Sequence, residues 1–201
     1  MSKQAIFMDR DGTLIEEITY LNHFDQVKIY PEALRAVSQI NQSGSLAVIA
    51  TNQSAVARGL LSENDLEKIH NLINLEFQKY GAHIDAFYYC PHHPKAGNGS
   101  YTKTCDCRKP KPGMLLRAAH ELDIQLNKSY MLGDKLDDVE TGKRAGCQSI
   151  LVKTGYGNEA TSLYNKEISS PLRQPTYISE NILEGVKCIL EHRFEENFEN
   201  H

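Results

Sequence analysis

Short apolar runs alternate with amphipathic segments along most of the chain. Apolar runs of strand length lie at 4–8, 46–50, 86–89, 130–132 and 149–152. Between and after them, apolar residues recur at helical spacing over 31–42, 62–79, 113–122, 139–145 and 182–192. Because repeated strand–helix units build a parallel sheet covered by helices on both faces, the alternation predicts a three-layer α/β fold of the Rossmann-like kind.

Start and stop signals support two of these helices. Pro31 stands at the start of the first helical segment and Gly44 lies just past its end. Ser62 precedes the second segment, with Asp65 three residues further on, and Gly81 follows it. Serine caps a helix N-terminus and glycine ends a helix without steric cost, so the pattern predicts helices over 31–42 and up to 79.

Length and composition set the organisation. The chain has 201 residues, of which 40% are hydrophobic, which is enough for one sizeable core. We expect a single domain over 1–192 and a polar, frayed tail over 193–201. Residues 156–175 show no pattern and are interpreted as a surface connection.

Charge and hydropathy exclude some classes of partner. The net charge is −4, so the chain lacks the basic field that attracts proteins to nucleic acid. No apolar stretch approaches the roughly 18 residues of a membrane span, and the N-terminus lacks an apolar signal region. We therefore expect a cytoplasmic monomer that binds neither nucleic acid nor membrane.

Polar residues follow the predicted strands where each one ends. In a parallel sheet these carboxyl ends meet at one rim, which is where ligands bind. The residues in question are Asp9 and Asp11, then Thr51, Asn52 and Gln53, then Asp134 and Lys135, with Arg108 and Lys109 entering just before a helix.

This rim has the chemistry of phosphoryl transfer. Asp9 and Asp11 are two residues apart, so two like charges lie close together unless a cation separates them. With Asp134 they offer hard oxygen ligands suited to Mg²⁺, which shares its remaining positions with water and phosphate. Lys109 and the Thr51 hydroxyl add groups that can stabilise phosphoryl oxygens.

The ordered motifs resemble those of the haloacid dehalogenase (HAD) superfamily of phosphatases. They are DRDGTL at 9–14, TNQ at 51–53, Lys109 before a helix, and GDKLDD at 133–138. The resemblance implies a mostly parallel sheet, a nucleophilic Asp9 that forms an aspartyl-phosphate, and Asp11 as general acid and base. It also implies that Thr51 and Lys109 hold the phosphoryl group.

The same resemblance implies the metal and substrate contacts. Mg²⁺ is expected on Asp9, the Asp11 backbone carbonyl and Asp134, with Asp138 in support. Asn52, Gln53, Arg108 and Lys135 are the expected substrate-binding residues.

A second cluster lies in the segment 90–107. Cys90-x-His92 and Cys105-x-Cys107 supply three thiols and an imidazole, a set typical of structural zinc. The intervening residues are rich in Pro, Gly, Asn and Ser and cannot form a core, so a metal would stabilise the loop. His93 competes with His92, which is preferred because its spacing matches the other half. Four protein ligands leave no open position for catalysis.

The zinc loop narrows the resemblance to the D-glycero-D-manno-heptose 1,7-bisphosphate 7-phosphatases, which supply heptose for bacterial lipopolysaccharide. Histidinol-phosphate phosphatases also carry such a loop and remain the alternative. TNQSAVARG, YYCPHHP and CDCRKPKPGM favour the heptose family. The short spacing between Thr51 and Lys109 leaves no room for a large cap domain. A second phosphate could use Arg108, whose planar guanidinium matches phosphate oxygens, and this favours a bisphosphate.

The charge balance and the complete set of acidic residues argue against functions of other classes. A zinc-stapled nucleic-acid module and a polynucleotide-end phosphatase both require more basic surface than this chain has. An inactive scaffold would be expected to have lost an acidic residue, yet Asp9, Asp11 and Asp134 are all present. His70 was interpreted as a surface or helix-face residue.

Overall fold

The computed structural model describes residues 2–97, 99–167 and 170–198. Its sheet contains six strands within these ranges, all paired in parallel, in the order β3-β2-β1-β4-β5-β6. The strands are β1 Ala5–Met8, β2 Leu46–Asn52, β3 Ala86–Cys90, β4 Tyr130–Gly133, β5 Gln148–Val152 and β6 Tyr177–Ser179. This confirms the predicted α/β class, and the observed strand order is that of a Rossmann-like sheet.

Helices connect the strands and cover the sheet. The α-helices are α1 Pro31–Gln42, α2 Ser54–Ala57, α3 Glu63–Lys79, α4 Gly113–Leu122, α5 Leu136–Ala145, α6 Gly157–Glu167 and α7 Ile182–Phe198. The predicted bounds of α1 and α4 are those observed, and the Ser62 hydroxyl caps α3 by accepting from the Asp65 amide at 3.1 Å. Helix α7 continues past the predicted end at 192, and residues 199–201 of the predicted tail lie outside the described residues.

The two faces of the sheet pack against different helices. Along β1, Ile6 and Met8 join a core cluster with residues of α1, α3 and α7. Ala5 and Phe7 point the other way, into a cluster with residues of α4. Burial on both faces explains why β1 is apolar without alternation, and it gives the three predicted layers.

The strand order places a crevice beside β1. Strand β1 pairs with β2 on one side and with β4 on the other. The chain therefore leaves the carboxyl ends of these neighbours in opposite directions, which opens a binding crevice there. The Asp9 amide extends the ladder by donating to the Leu132 carbonyl at 2.9 Å, so Asp9 is held rigidly at this edge.

The segment interpreted as a surface connection contains regular structure. Helix α6 covers its first half, and the edge strand β6 follows shortly after it. Arg173 ties the intervening turn to α5 through ion pairs with Asp137 at 3.0 Å and Glu140 at 2.8 Å. A three-residue edge strand and a polar helix carry too little hydrophobic periodicity to be predicted from sequence.

Within the described parts of the chain, no helix is both long and apolar enough to cross a bilayer.

Candidate active site

A buried lysine and carboxylate pair forms the centre of the crevice. The Lys109 ammonium lies 2.9 Å from Asp9 Oδ1 and 2.5 Å from Asp138 Oδ1, and it donates to the Ala50 carbonyl at 2.9 Å. Burial would raise the pKa of Asp9, but Lys109 and Lys135 outweigh it and hold the pKa below its usual value. Asp9 is therefore a carboxylate, the form that can attack an electrophile.

Three acidic residues converge beside this pair. Asp9, Asp134 and Asp138 each place a carboxylate oxygen within 4.8 Å of the others, and all three are buried. Burial, then the charges of Asp9 and Asp138, raise the pKa of Asp134 to about 8. Asp134 Oδ1 is buried and accepts no hydrogen bond from any described group. A divalent cation would pair this oxygen and offset the repulsion, so the donor set fits Mg²⁺.

Two glycines allow the backbone to approach Asp134 closely. Gly12 has φ +78°, and a Cβ built on it would overlap with Asp134 Oδ2. Gly155 lies in the loop after β5, and a Cβ built on it would overlap with the same oxygen. The Tyr156 amide donates to Asp134 Oδ2 at 2.8 Å, and the Thr154 hydroxyl donates to the Gly12 carbonyl at 2.6 Å. The loop 154–156 is thus part of the site, which the sequence did not reveal.

Replacing Gly12 by alanine tests this close approach. The left-handed backbone costs about 1–2 kcal/mol for a residue with a Cβ, and the overlap must also displace Asp134. We expect Gly12→Ala to lower kcat about a hundredfold, the order of loss that follows a misplacement of about 1 Å. Gly44→Ala is the matched control, because Gly44 has φ +75° but nothing within 4 Å of its Cβ position. Equal kcat losses in the two variants would contradict the prediction.

Asp11 also lines the cavity and belongs to a separate hydrogen-bond network. Its Oδ1 accepts from Arg10 Nη2 at 3.0 Å and from Arg10 Nε at 3.3 Å. Its Oδ2 accepts from Gln53 Nε2 at 2.9 Å. Gln53 Nε2 also donates to Thr51 Oγ1 at 3.0 Å, and Gln53 Oε1 accepts from Arg10 Nη2 at 2.9 Å. These contacts use both amide hydrogens of Gln53, so its side chain orders Asp11 and Thr51.

The Asn52 side chain contacts the backbone of Lys109. Asn52 Oδ1 accepts from the Lys109 amide at 3.1 Å, and Asn52 Nδ2 donates to the Lys109 carbonyl at 3.2 Å. This paired contact fixes the chain at Lys109 to the end of β2. It places Asn52 as a support for Lys109.

A cavity of about 380 Å³ opens above these groups. Arg108 and Lys135 line it, together with Tyr20 from the loop after β1. Lys135 lies 3.2 Å from Glu17 Oε2 and 4.6 Å from the centroid of the Tyr156 ring. The volume suits a small polar ligand. The basic side chains Arg108, Lys109 and Lys135 offer contacts to an anionic group among the acidic residues of the lining. All predicted substrate-binding residues line the cavity, whereas Asp134 is not among the lining residues.

Arg10 and His70 are the residues that sequence reasoning missed at this site. Arg10 is 1% exposed and His70 is 3% exposed, although His70 was interpreted as a surface or helix-face residue. His70 Nε2 lies 3.0 Å from Arg10 Nη1, and its ring stacks on Phe87 with centroids 4.7 Å apart. Position on the apolar side of α3, in register with Leu66, Ile69 and Ile73, was the signal that could have found His70.

The four predicted zinc ligands, Cys90, His92, Cys105 and Cys107, come together in one cluster. Cys107 Sγ lies 3.3 Å from the sulfurs of Cys90 and Cys105, which are 3.5 Å apart. His92 Nδ1 is 3.5 Å from Cys107 Sγ and 3.8 Å from Cys90 Sγ. A tetrahedral site with Zn–S bonds of about 2.3 Å has edges of about 3.8 Å, so the cluster fits zinc after a small expansion.

His92, the preferred histidine, lies in this cluster, and His93 does not belong to it. His93 Nδ1 instead accepts from the backbone amides of Lys95 at 3.1 Å and Ala96 at 2.7 Å, which folds the loop. Arg108 Nη1 donates to the His92 carbonyl at 2.9 Å. The Arg108 guanidinium is therefore held by the zinc loop and faces the cavity.

Sequence comparison with known proteins indicates the family that the motifs of this chain resemble. The HAD-hydrolase-like family profile matches residues 106–185. The D-glycero-beta-D-manno-heptose-1,7-bisphosphate 7-phosphatase of Pasteurella multocida is 45% identical over 154 residues, which are 76% of this chain and 83% of that protein. The D-glycero-D-manno-heptose-1,7-bisphosphate 7-phosphatase of Thermosynechococcus vestitus is 35% identical over 196 residues, 96% of this chain and 98% of that protein.

Comparison with solved structures indicates the same family as these sequence relatives. The D,D-heptose 1,7-bisphosphate phosphatase of B. bronchiseptica, complexed with magnesium and phosphate, superposes with a TM-score of 0.81 at 30% identity. The match covers 94% of this chain and 99% of that one. The structural similarity therefore extends over nearly the whole chain.

Proposed function

The chain belongs to the D-glycero-D-manno-heptose-1,7-bisphosphate 7-phosphatase family of HAD hydrolases, and on that basis we propose that it removes the C7 phosphate of D-glycero-D-manno-heptose 1,7-bisphosphate. The observation that carries the proposal is the juxtaposition of ionised Asp9, buried Lys109 and the unpaired Asp134 oxygen at a cavity that Arg108 and Lys135 also line. This arrangement matches the needs of a phosphoryl group that is transferred to a carboxylate.

In the first half of the reaction Asp9 is the nucleophile. A carboxylate oxygen of Asp9 forms a bond to the C7 phosphorus while the bond between that phosphorus and the ester oxygen breaks. Asp11, in its acid form, donates a proton to the departing oxygen, and the sugar leaves as an alcohol that still carries its C1 phosphate. Lys109, already within 2.9 Å of Asp9, stabilises the phosphoryl oxygens together with the Thr51 hydroxyl.

In the second half Asp11 acts as a base. It takes a proton from a water molecule as the water oxygen bonds to phosphorus and the Asp9–phosphorus bond breaks. Inorganic phosphate leaves, and the Asp9 carboxylate and the Asp11 acid are restored. The same carboxyl group therefore serves both halves, which requires that it be held on the leaving-group side of the phosphorus.

Mg²⁺ would be held by the Asp9 and Asp134 carboxylates and by the backbone carbonyl of Asp11, with Asp138 in support. When bound it supplies positive charge that offsets repulsion between the carboxylates and the phosphoryl oxygens. Asp138 is already paired with Lys109 and accepts from the Lys135 amide at 3.1 Å, so its part is to fix this arrangement.

The second phosphate of the substrate is assigned to Arg108. Arg108 lines the cavity and is half-buried, and its Nη1 contact with the His92 carbonyl leaves further N–H groups of the fork for a ligand. Lys109 is already occupied by Asp9 and Asp138, so it serves the reacting phosphate. With C7 at Asp9, the anomeric phosphate projects toward the zinc loop.

Arg108→Ala should therefore discriminate between substrates. A charge-assisted contact contributes roughly 1.5–3 kcal/mol, so kcat/KM for the bisphosphate should fall about tenfold to a hundredfold. A monophosphate ester should change little, since it has no second phosphate. Lys103→Ala, an exposed basic residue of the same loop, is the control. An equal loss on both substrates would assign Arg108 to the reacting phosphate or to the fold.

The substrate itself is tested by comparing purified enzyme on the heptose bisphosphate and on histidinol phosphate. We expect a clear preference in kcat/KM for the bisphosphate. A preference for histidinol phosphate would instead indicate a histidinol-phosphate phosphatase, the alternative family with a similar zinc loop.

We further propose that residues 1–192 act as one domain in a cytoplasmic monomer that takes a diffusible sugar phosphate and no nucleic acid. The net charge of −4 supports a small-molecule substrate over a polyanion. Size-exclusion chromatography with light scattering tests the monomer directly, and a dimer mass would refute it.

A further inference from the structure

We propose that Arg10 and His70 form a positioning pair that holds the Asp11 carboxyl group in place for proton transfer. The inference rests on the proposed function, because it takes Asp11 as the acid that protonates the leaving oxygen. Arg10 and His70 are buried polar residues to which the proposed reaction steps assign no other role.

Arg10 is shaped to orient a carboxylate. Its side chain is 1% exposed and contacts Asp11 Oδ1 through Nε and Nη2. Arg10 Nη2 also lies 3.0 Å from Asp11 Oδ2 and donates to Gln53 Oε1. Gln53 in turn donates to Asp11 Oδ2 at 2.9 Å. Both oxygens of Asp11 are thus held by rigid, buried donors, while the carboxyl group itself still lines the cavity.

His70 holds the other end of the guanidinium. A guanidinium only donates, so the 3.0 Å contact from Arg10 Nη1 requires an unprotonated His70 Nε2 as acceptor. Burial, with the Arg10 charge, keeps the pKa of His70 well below its usual value, which maintains that form. The ring is fixed by stacking on Phe87 at an interplanar angle of 17°. Loss of the acceptor would leave a buried N–H without a partner, and the guanidinium would shift to find one.

Misplacement of Asp11 has a characteristic kinetic effect. Proton donation matters most when the leaving oxygen is a poor leaving group, as in a sugar alkoxide, and least for a nitrophenolate that leaves without a proton. General acid catalysis typically contributes about 10²–10⁴-fold. A damaged positioning pair should therefore lower kcat/KM for an alkyl ester much more than for an aryl ester. A loss of folded protein would lower both equally.

The test compares kcat/KM for the heptose bisphosphate and for 4-nitrophenyl phosphate, with saturating Mg²⁺. This parameter reports the steps up to departure of the leaving group. His70→Phe retains the stacked ring but removes the acceptor, and Arg10→Lys retains the charge but removes the fork. We expect each to lower the alkyl-to-aryl ratio roughly tenfold, and Asp11→Asn to lower it further.

Two further variants separate positioning from stability. His70→Gln restores an acceptor at a similar reach, and its ratio should return to within about threefold of the wild type. Phe77→Leu alters a fully buried residue of the same helix, and it should destabilise the protein without changing the ratio.

The outcomes are distinct. An unchanged ratio in His70→Phe and Arg10→Lys, with a lowered ratio in Asp11→Asn, would overturn the positioning pair alone. An unchanged ratio in Asp11→Asn would overturn the proposed role of Asp11, and an inactive wild-type enzyme would overturn the proposed function.

Discussion

The Asp9→Asn variant is expected to lose roughly 10⁴-fold or more in turnover while it keeps its fold. Removing a covalent catalyst costs far more than removing a single stabilising contact. The fold should survive because the asparagine oxygen can still accept from the Arg10 amide and from Lys109, which contact Asp9 Oδ1 at 2.8 and 2.9 Å. Lys109 also keeps its ion pair with Asp138, so no buried charge is left unpaired.

The measurement is kcat on the heptose bisphosphate, together with rapid-quench mass spectrometry for a phosphorylated enzyme. Wild-type protein should show a phosphate adduct on the peptide that contains Asp9, and Asp9→Asn should show none. Asp25→Asn removes the same charge from a carboxylate that is 85% exposed, and it should match the wild type. Retention of more than about a tenth of the wild-type turnover would exclude Asp9 as the nucleophile.

Strand ends were the most predictable part of this molecule. Asp9, Thr51 and Asp134 each follow an apolar run, and a parallel sheet must bring such positions to one edge. The zinc ligands were predictable for a different reason: two short Cys/His pairs flank a segment that cannot form a core. In both cases the positions of these residues along the chain are enough to predict which side chains lie together in the structure.

Other parts of the site depend on tertiary contacts that have no local signal. Arg10 lies between two acidic residues, and its sequence context does not reveal that it is buried against His70 from α3. The approach of Tyr156 and Thr154 to the site depends on how β5 ends beside β1. Asn52 has the side chain of a ligand-binding residue, yet its amide is paired with the Lys109 backbone. Apart from the position of His70 on the apolar side of α3, no local pattern in the sequence indicates these side-chain partners.

Loss of zinc should disturb the position of Arg108 at the cavity more than the position of Lys109. Lys109 is fixed independently of the zinc loop, through Asn52 and through Asp9 and Asp138. Arg108 is held through the His92 carbonyl, and His92 belongs to the metal cluster. Loss of the metal should therefore disturb the site for the second phosphate and leave the site of chemistry largely intact.

Cys107→Ser is the variant that tests this division, since Cys107 Sγ is within 3.5 Å of three other ligand atoms. Purified wild-type protein should contain about one zinc per chain, and Cys107→Ser should contain far less. Its melting temperature should fall by several degrees, given about 2–4 °C for each kcal/mol in a chain of this size. Use of the bisphosphate should fall more than use of a monophosphate ester. Cys188→Ser, outside the cluster, should keep its zinc. A zinc-free wild-type protein, or a Cys107→Ser variant as stable and as selective as the wild type, would refute a structural zinc in this loop.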